Sequence, residues 1–124
     1  MLVQPNPQEA YRRVDFDARV AAARPGELVA VCFEQLSLAL GSAIRAAEQG
    51  DNARRSAALT RALAALTALE LGVDRQAPGA GPLLQFYAGV RRSVLDSVPQ
   101  FDGPRLAALR RDVDEVGQAL SKAQ

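Results

Sequence analysis

Four long stretches of helix-period apolar residues are separated by short runs rich in glycine, proline and aspartate, and this punctuation is the strongest constraint on the fold. The breaks fall at Gly50–Asp51, at Gly72, along VDRQAPGAG (73–81) and at Pro99, each a signal that a helix stops or a loop begins. Pro25 is a favoured first helical residue and opens a helix over 25–49, with Glu27 suited to the positive end of its dipole. Asp51 caps a second helix over 52–71, where Leu59, Leu63, Leu66 and Leu69 share one face and Ala57, Ala64 and Ala68 form a separate strip. Pro82 opens a third over 82–98, with Leu83, Phe86, Tyr87, Val90, Val94 and Val98 on a broad face. Leu84, Ala88 and Leu95 lie on an adjacent ridge. Asp102 and Pro104 start a fourth over 103–122, with Leu106, Leu109, Val113, Val116 and Leu120 in one narrow seam. No strand-length alternation is present. Short connections between such helices predict an all-α fold, an antiparallel up-and-down four-helix bundle made of one domain, 1–124. Residues 1–22 precede it as an N-terminal segment. The stretch to about residue 10, with Pro5 and Pro7, reads as mobile, and 10–23 as extended or partly helical.

The side-chain inventory removes whole classes of function. The chain has no histidine, which excludes His-based metal sites, histidine phosphotransfer and Ser-His or Cys-His catalysis. A carboxylate dyad is the remaining acid–base option, but Glu34 and Glu48 lie on the polar edge of their helix and Glu70 sits in a last turn. No enzymatic activity, metal or cofactor is expected. Fifteen basic against fourteen acidic residues leave a net charge of +1, without the basic excess of a nucleic-acid binder. The single Cys32 reads as a small core hydrophobe, and a lone thiol fits the cytoplasm. No uninterrupted apolar run approaches the roughly 20 residues of a membrane span, so no membrane insertion is expected. The N-terminus has no signal-peptide core. The arginine pairs 12–13, 54–55, 91–92 and 110–111 read as solvated faces, with contacts to an acidic partner as the alternative.

The first helix, within RPGELVAVCFEQLSLAL (24–40), is more apolar than a simple bundle member needs. Leu28, Val29, Cys32, Phe33, Leu36, Leu40 and Ile44 cover an arc of roughly 160° on a helical wheel. Val31 and Leu38 sit apart, beyond Gln35 and Ser42, and Glu34, Ser37, Gly41, Arg45 and Glu48 form the polar edge. Either this helix is central and touches more neighbours, or the extra ridge docks an apolar partner.

These residues resemble the FliS family of flagellar secretion chaperones. Tyr11 stands for the family's N-terminal tyrosine, Pro25 and Leu28 for the ends of its Pro-x-x-Leu element, and Cys32, Phe33 and Glu34 for its Leu-Tyr-Asp. RALAALTALELGVD (61–74), PLLQFYAGVRRSVLDSV (82–98) and LAALRRDVDEVGQAL (106–120) are similar to its later helices, with Phe86, Tyr87, Arg91 and Arg92 in about the matching places. Arg24 stands where the family has a small or hydroxyl residue, and the tryptophan often found near its C-terminus has no counterpart.

The resemblance implies a cytoplasmic export chaperone that binds the disordered C-terminal segment of flagellin, prevents premature polymerisation and aids delivery to the type III export gate. The client would dock as amphipathic turns in apolar grooves. Val31, Leu38, Leu84, Ala88 and Leu95 are the candidate client contacts, and Ala57 and Ala64, with Ala68, would allow close approach. Tyr11 would belong to a segment that covers part of a groove when the client is absent. Core packing is the alternative for each. The competing reading of the whole chain is a helical bundle that self-associates through the same surface, as a homodimer rather than a monomer.

Overall fold

A computed structural model of the protein describes residues 7–22 and 25–123, which are helical apart from short turns. Five helices follow in order: α1 (Pro7–Ala22), α2 (Pro25–Glu48), α3 (Asn52–Leu71), α4 (Ala80–Asp96) and α5 (Gly103–Lys122). The all-α class stands and the count of four is corrected to five. α2 packs most extensively on α3 and next on α5; α4 touches both α3 and α5, and α1 lies outside against α2.

The N-terminal segment accounts for the difference. Residues 7–10, expected to be mobile, and 11–22, expected to be at most partly helical, form α1. Pro7 is a helix opener whose missing N–H costs nothing at that position, and Glu9 complements the dipole in the first turn. Two ion pairs then tie the helix to the rest of the chain, Glu9 to Arg61 of α3 and Arg19 to Glu34 of α2. Residues 1–6 and the cap position Arg24 lie outside the described residues.

Local chemistry sets the other boundaries. The Asp51 carboxylate accepts from the Arg54 N–H at 3.0 Å, and that of Asp102 from the Arg105 N–H at 3.1 Å. Each satisfies one of the donors left open in a first turn. α4 begins at Ala80, two residues before Pro82, because Gly79 takes the left-handed conformation (φ 84°) that turns the chain into the helix.

The core lies between α2, α3, α4 and α5. Leu36, Leu40, Leu66, Leu106, Val90, Val94 and Val113 are fully buried, with Tyr87 and Cys32 beside them. Each such large aliphatic side chain contributes roughly 1.5–3 kcal/mol relative to exposure. Tyr87 tilts against Phe33 and Phe86, ring centroids 6.0 and 6.1 Å apart. Of the wide α2 arc, Cys32, Phe33, Leu36 and Leu40 are buried, and Leu28, Val29 and Ile44 pack on them from the margin. The seam of α5 buries Leu106 and Val113, with Leu109, Val116 and Leu120 half-buried. Val98, assigned to the apolar face of α4, is instead exposed, in the turn that follows the helix.

The polar edge of α2 is also divided. Ser37 and Gly41 face α5, where the Arg110 Nε donates to the Ser37 hydroxyl at 3.1 Å and its guanidinium lies on the bare Gly41. Glu34, Arg45 and Glu48 face solvent. Glu27–Glu48 is long and apolar enough to cross a membrane by length and composition, although Glu34, Gln35, Ser37, Ser42 and Arg45 interrupt its apolar run. Cys32, Phe33, Leu36, Ala39, Leu40 and Ala43 of this helix are part of the core.

Candidate functional site

α1 lies across the outer faces of α2 and α3. Its N-terminal half meets the end of α2 and the start of α3, and its C-terminal half reaches Glu34. The Arg19 guanidinium donates to the Glu34 carboxylate at 2.6 Å in an exposed pair, and this hydrogen bond holds the Arg19 pKa above its ordinary value. The Glu9–Arg61 pair is more shielded, with side chains 20% and 12% exposed. Among the described side chains of α1, Phe16 packs against the core from the margin.

The fit beneath α1 is incomplete. A cleft of about 420 Å³ remains there, lined by Phe16, Gln35, Ala57, Thr60, Arg61 and Ala64 among others. The apolar Tyr11 and Val14 face solvent, 72% and 66% exposed. Among the described side chains of α1, Tyr11 and Val14 thus add nothing to its packing, while Phe16 and the Glu9 and Arg19 ion pairs attach it.

The residues proposed for client contact fall on separate surfaces. Ala57 and Ala64 line the cleft under α1; Ala68, on the same strip of α3, is half-buried against the core. Val31 is half-buried and Leu38 is 48% exposed, both on the outer side of α2 that carries Glu34. Leu84, Ala88 and Leu95 lie on α4, with Leu84 half-buried, Ala88 exposed and Leu95 49% exposed. Leu95 also borders a shallow cleft at the α4–α5 turn with Phe101 and Pro104. The structure thus gathers Ala57 and Ala64 under α1 and leaves the α4 ridge apart from them. Tyr11 is on α1 but points away from the surface that α1 covers.

The arginine pairs do not form uniform solvated faces. Consecutive helical residues differ by about 100° in direction, so three pairs split into an inward and an outward member. Arg55 stacks over Phe101 at 5.5 Å, Arg91 pairs with Glu70 and donates to the Thr67 hydroxyl at 3.0 Å, and Arg110 covers Gly41. Arg54, Arg92 and Arg111 are exposed. Arg61 and Glu9, which seat α1, were not singled out by sequence. The available signal was Pro7 followed by Glu9, a helix start.

Burial pushes the Cys32 thiol up and the Tyr87 phenol up to about 12, so both stay protonated at neutral pH. Among the described residues no three His, Cys, Asp or Glu side chains converge as metal ligands. The surface offers instead a covering helix, a partly filled cleft and exposed apolar residues on helices that also supply the core.

A family model described as flagellar protein FliS matches residues 7–124. No curated protein sequence and no solved structure matches the chain. The family match spans all five described helices, α1 included, and the chain belongs to the FliS family of flagellar proteins.

Proposed function

We propose that this protein is a cytoplasmic export chaperone that holds the disordered C-terminal segment of flagellin, keeps it from polymerising and aids its delivery to the export gate. Family membership supports the class of function. The observation that carries the reading is the exposure of Leu38 and Leu95, each about half accessible, on helices whose other faces fill the core. A disordered client loses conformational entropy on binding and gains by burying a long apolar surface. Grooves that accept amphipathic turns provide that gain. Val31, Leu38, Leu84, Ala88 and Leu95 are the contacts proposed for it. Ala57 and Ala64 carry only methyl side chains, which let a client helix approach closely. α1, which carries Tyr11, covers part of this surface while the client is absent. Its ionic attachment and incomplete packing make it a removable cover.

Co-purification with the host's flagellin tests the proposal. A soluble one-to-one complex is expected by light scattering, together with arrest of filament growth on flagellin seeds. Self-association through the same side chains is the competing reading. A concentration-dependent dimer that ignores flagellin would favour it and overturn the client assignment.

A further inference from the structure

The chain carries almost no net charge, yet its charge is unevenly placed. Where the N-terminal half of α1 meets the end of α2 and the start of α3 there is a cleft of about 490 Å³. Five arginines line it: Arg12 and Arg13 from α1, Arg45 from α2, and Arg54 and Arg61 from α3. Glu9 is the one acidic residue in the lining. Arg61 pairs with Glu9 and Arg54 with Asp51. Arg45 reaches only the neutral Ser42 hydroxyl, at 3.3 Å. Among the described residues no carboxylate lies within ion-pair distance of Arg12, Arg13 or Arg45. A net charge of +1 for 124 residues makes this concentration of cations local. Five guanidiniums converging on one hollow repel one another, and a concave wall focuses their field outward.

We propose that this cleft docks an acidic peptide segment of a partner protein while α1 is seated, sharing Ala57 with the apolar surface assigned to the client. Glu9 shows the mode of entry, because its carboxylate already occupies the hollow and pairs with the most shielded cation, Arg61. A partner carboxylate does the same at Arg12, Arg13 and Arg45, where the planar guanidinium offers two-pronged hydrogen bonding. The floor favours a peptide over a polyanion: Ala46, Ala53 and Ala57 lie between the charges, a surface that receives small apolar side chains placed between acidic ones. The remainder of the chain carries no basic excess with which to follow a nucleic-acid backbone. The inference does not require flagellin as the client.

Fluorescence anisotropy with the full chain tests it. The probe is a labelled twelve-residue peptide of alternating Glu and Ala, about that length being enough to cross the cleft. Matched peptides with Gln or Lys in place of Glu are the controls. The Glu peptide is expected to bind with an affinity that falls as salt rises, while the Gln and Lys peptides do not bind. Arg12→Glu with Arg45→Glu is expected to weaken binding about tenfold or more, since two partner charges are repelled where they were paired. Arg92→Glu with Arg111→Glu, the same change of net charge at exposed positions elsewhere, should leave it unaltered. All four positions are exposed, and circular dichroism verifies that each variant stays folded. Failure of the Glu peptide to bind, or equal weakening by the two double variants, would overturn the proposal. So would tighter binding of a twelve-nucleotide oligothymidylate or of phosphatidylserine vesicles than of the peptide.

Discussion

The ring of Phe33 fills the notch that Gly117 leaves in α5: a Cβ at position 117 would lie 3.0 Å from the Phe33 Cδ1 and 3.2 Å from its Cγ. This contact sets how closely α2 and α5 approach at one end of their interface. The other end has a different pairing, because a Cβ at Gly41 would meet the tip of Arg110, with Nη1 at 2.4 Å. Phe33 is buried and wedged against Tyr87, whereas a guanidinium at the end of a flexible stem can swing away.

The two glycines should therefore respond differently. Gly117→Val is expected to lower stability by about 1–3 kcal/mol, the range for overpacking a filled site. Gly41→Ala gains about 1 kcal/mol of helix propensity and gives up one hydrogen bond of similar worth. Its stability should change by less than about 1 kcal/mol. Urea denaturation of both variants checks the contrast. Equal losses would mean that Phe33 relaxes as readily as Arg110.

A carboxylate placed in the core and one placed on the outer ridge separate folding from binding. Val113 is fully buried on α5, so Val113→Asp places an unpaired charge in the core and should abolish cooperative folding. Leu38 is 48% exposed, so Leu38→Asp should leave helicity and melting nearly unchanged while client binding is lost. Circular dichroism and co-purification with flagellin read the two effects. Unfolding by Leu38→Asp would show that its side chain is needed in the core.

Tyr87 predicts the alkaline limit of stability. Burial raises its phenol from an ordinary value near 10 to about 12. The folded protein keeps that proton over a range in which the unfolded chain releases it. The stabilisation is complete below pH 10 and declines as pH rises through 12. At pH 11 the loss amounts to about 1.4 kcal/mol. Cys32, also raised by burial, acts in the same direction. Urea midpoints at pH 8 and pH 11 should show this decline in the natural chain and a smaller one in Tyr87→Phe. An equal decline in both would place the alkaline sensitivity elsewhere.

Much of the fold is legible in the sequence because α2 to α5 carry their own local signals. Asp51 and Asp102 announce helix starts, and the leucine and valine spacing of α3 and α5 marks their inward faces. α1 lacks such a signal. Its apolar Tyr11 and Val14 do not point inward, and its seat depends on Arg61 and Glu34, residues 52 and 15 positions away from their partners. No periodicity within 7–22 encodes a pairing across that distance. The covering of Arg55, Arg91 and Arg110 is hidden for a related reason: sequence gives the count of charges on a helix, while the neighbouring helix decides which of two adjacent arginines is covered. The apolar surplus of α2 was visible from composition. Its division into core residues and the exposed Leu38 required the positions of α1, α3 and α5.

Titration calorimetry of the full chain with the C-terminal segment of the host's flagellin tests the central claim most directly. A one-to-one complex with a large negative heat-capacity change is the expected result, because coupled folding of the segment buries apolar surface. A folded protein that takes up no segment at any temperature tested would contradict the chaperone reading.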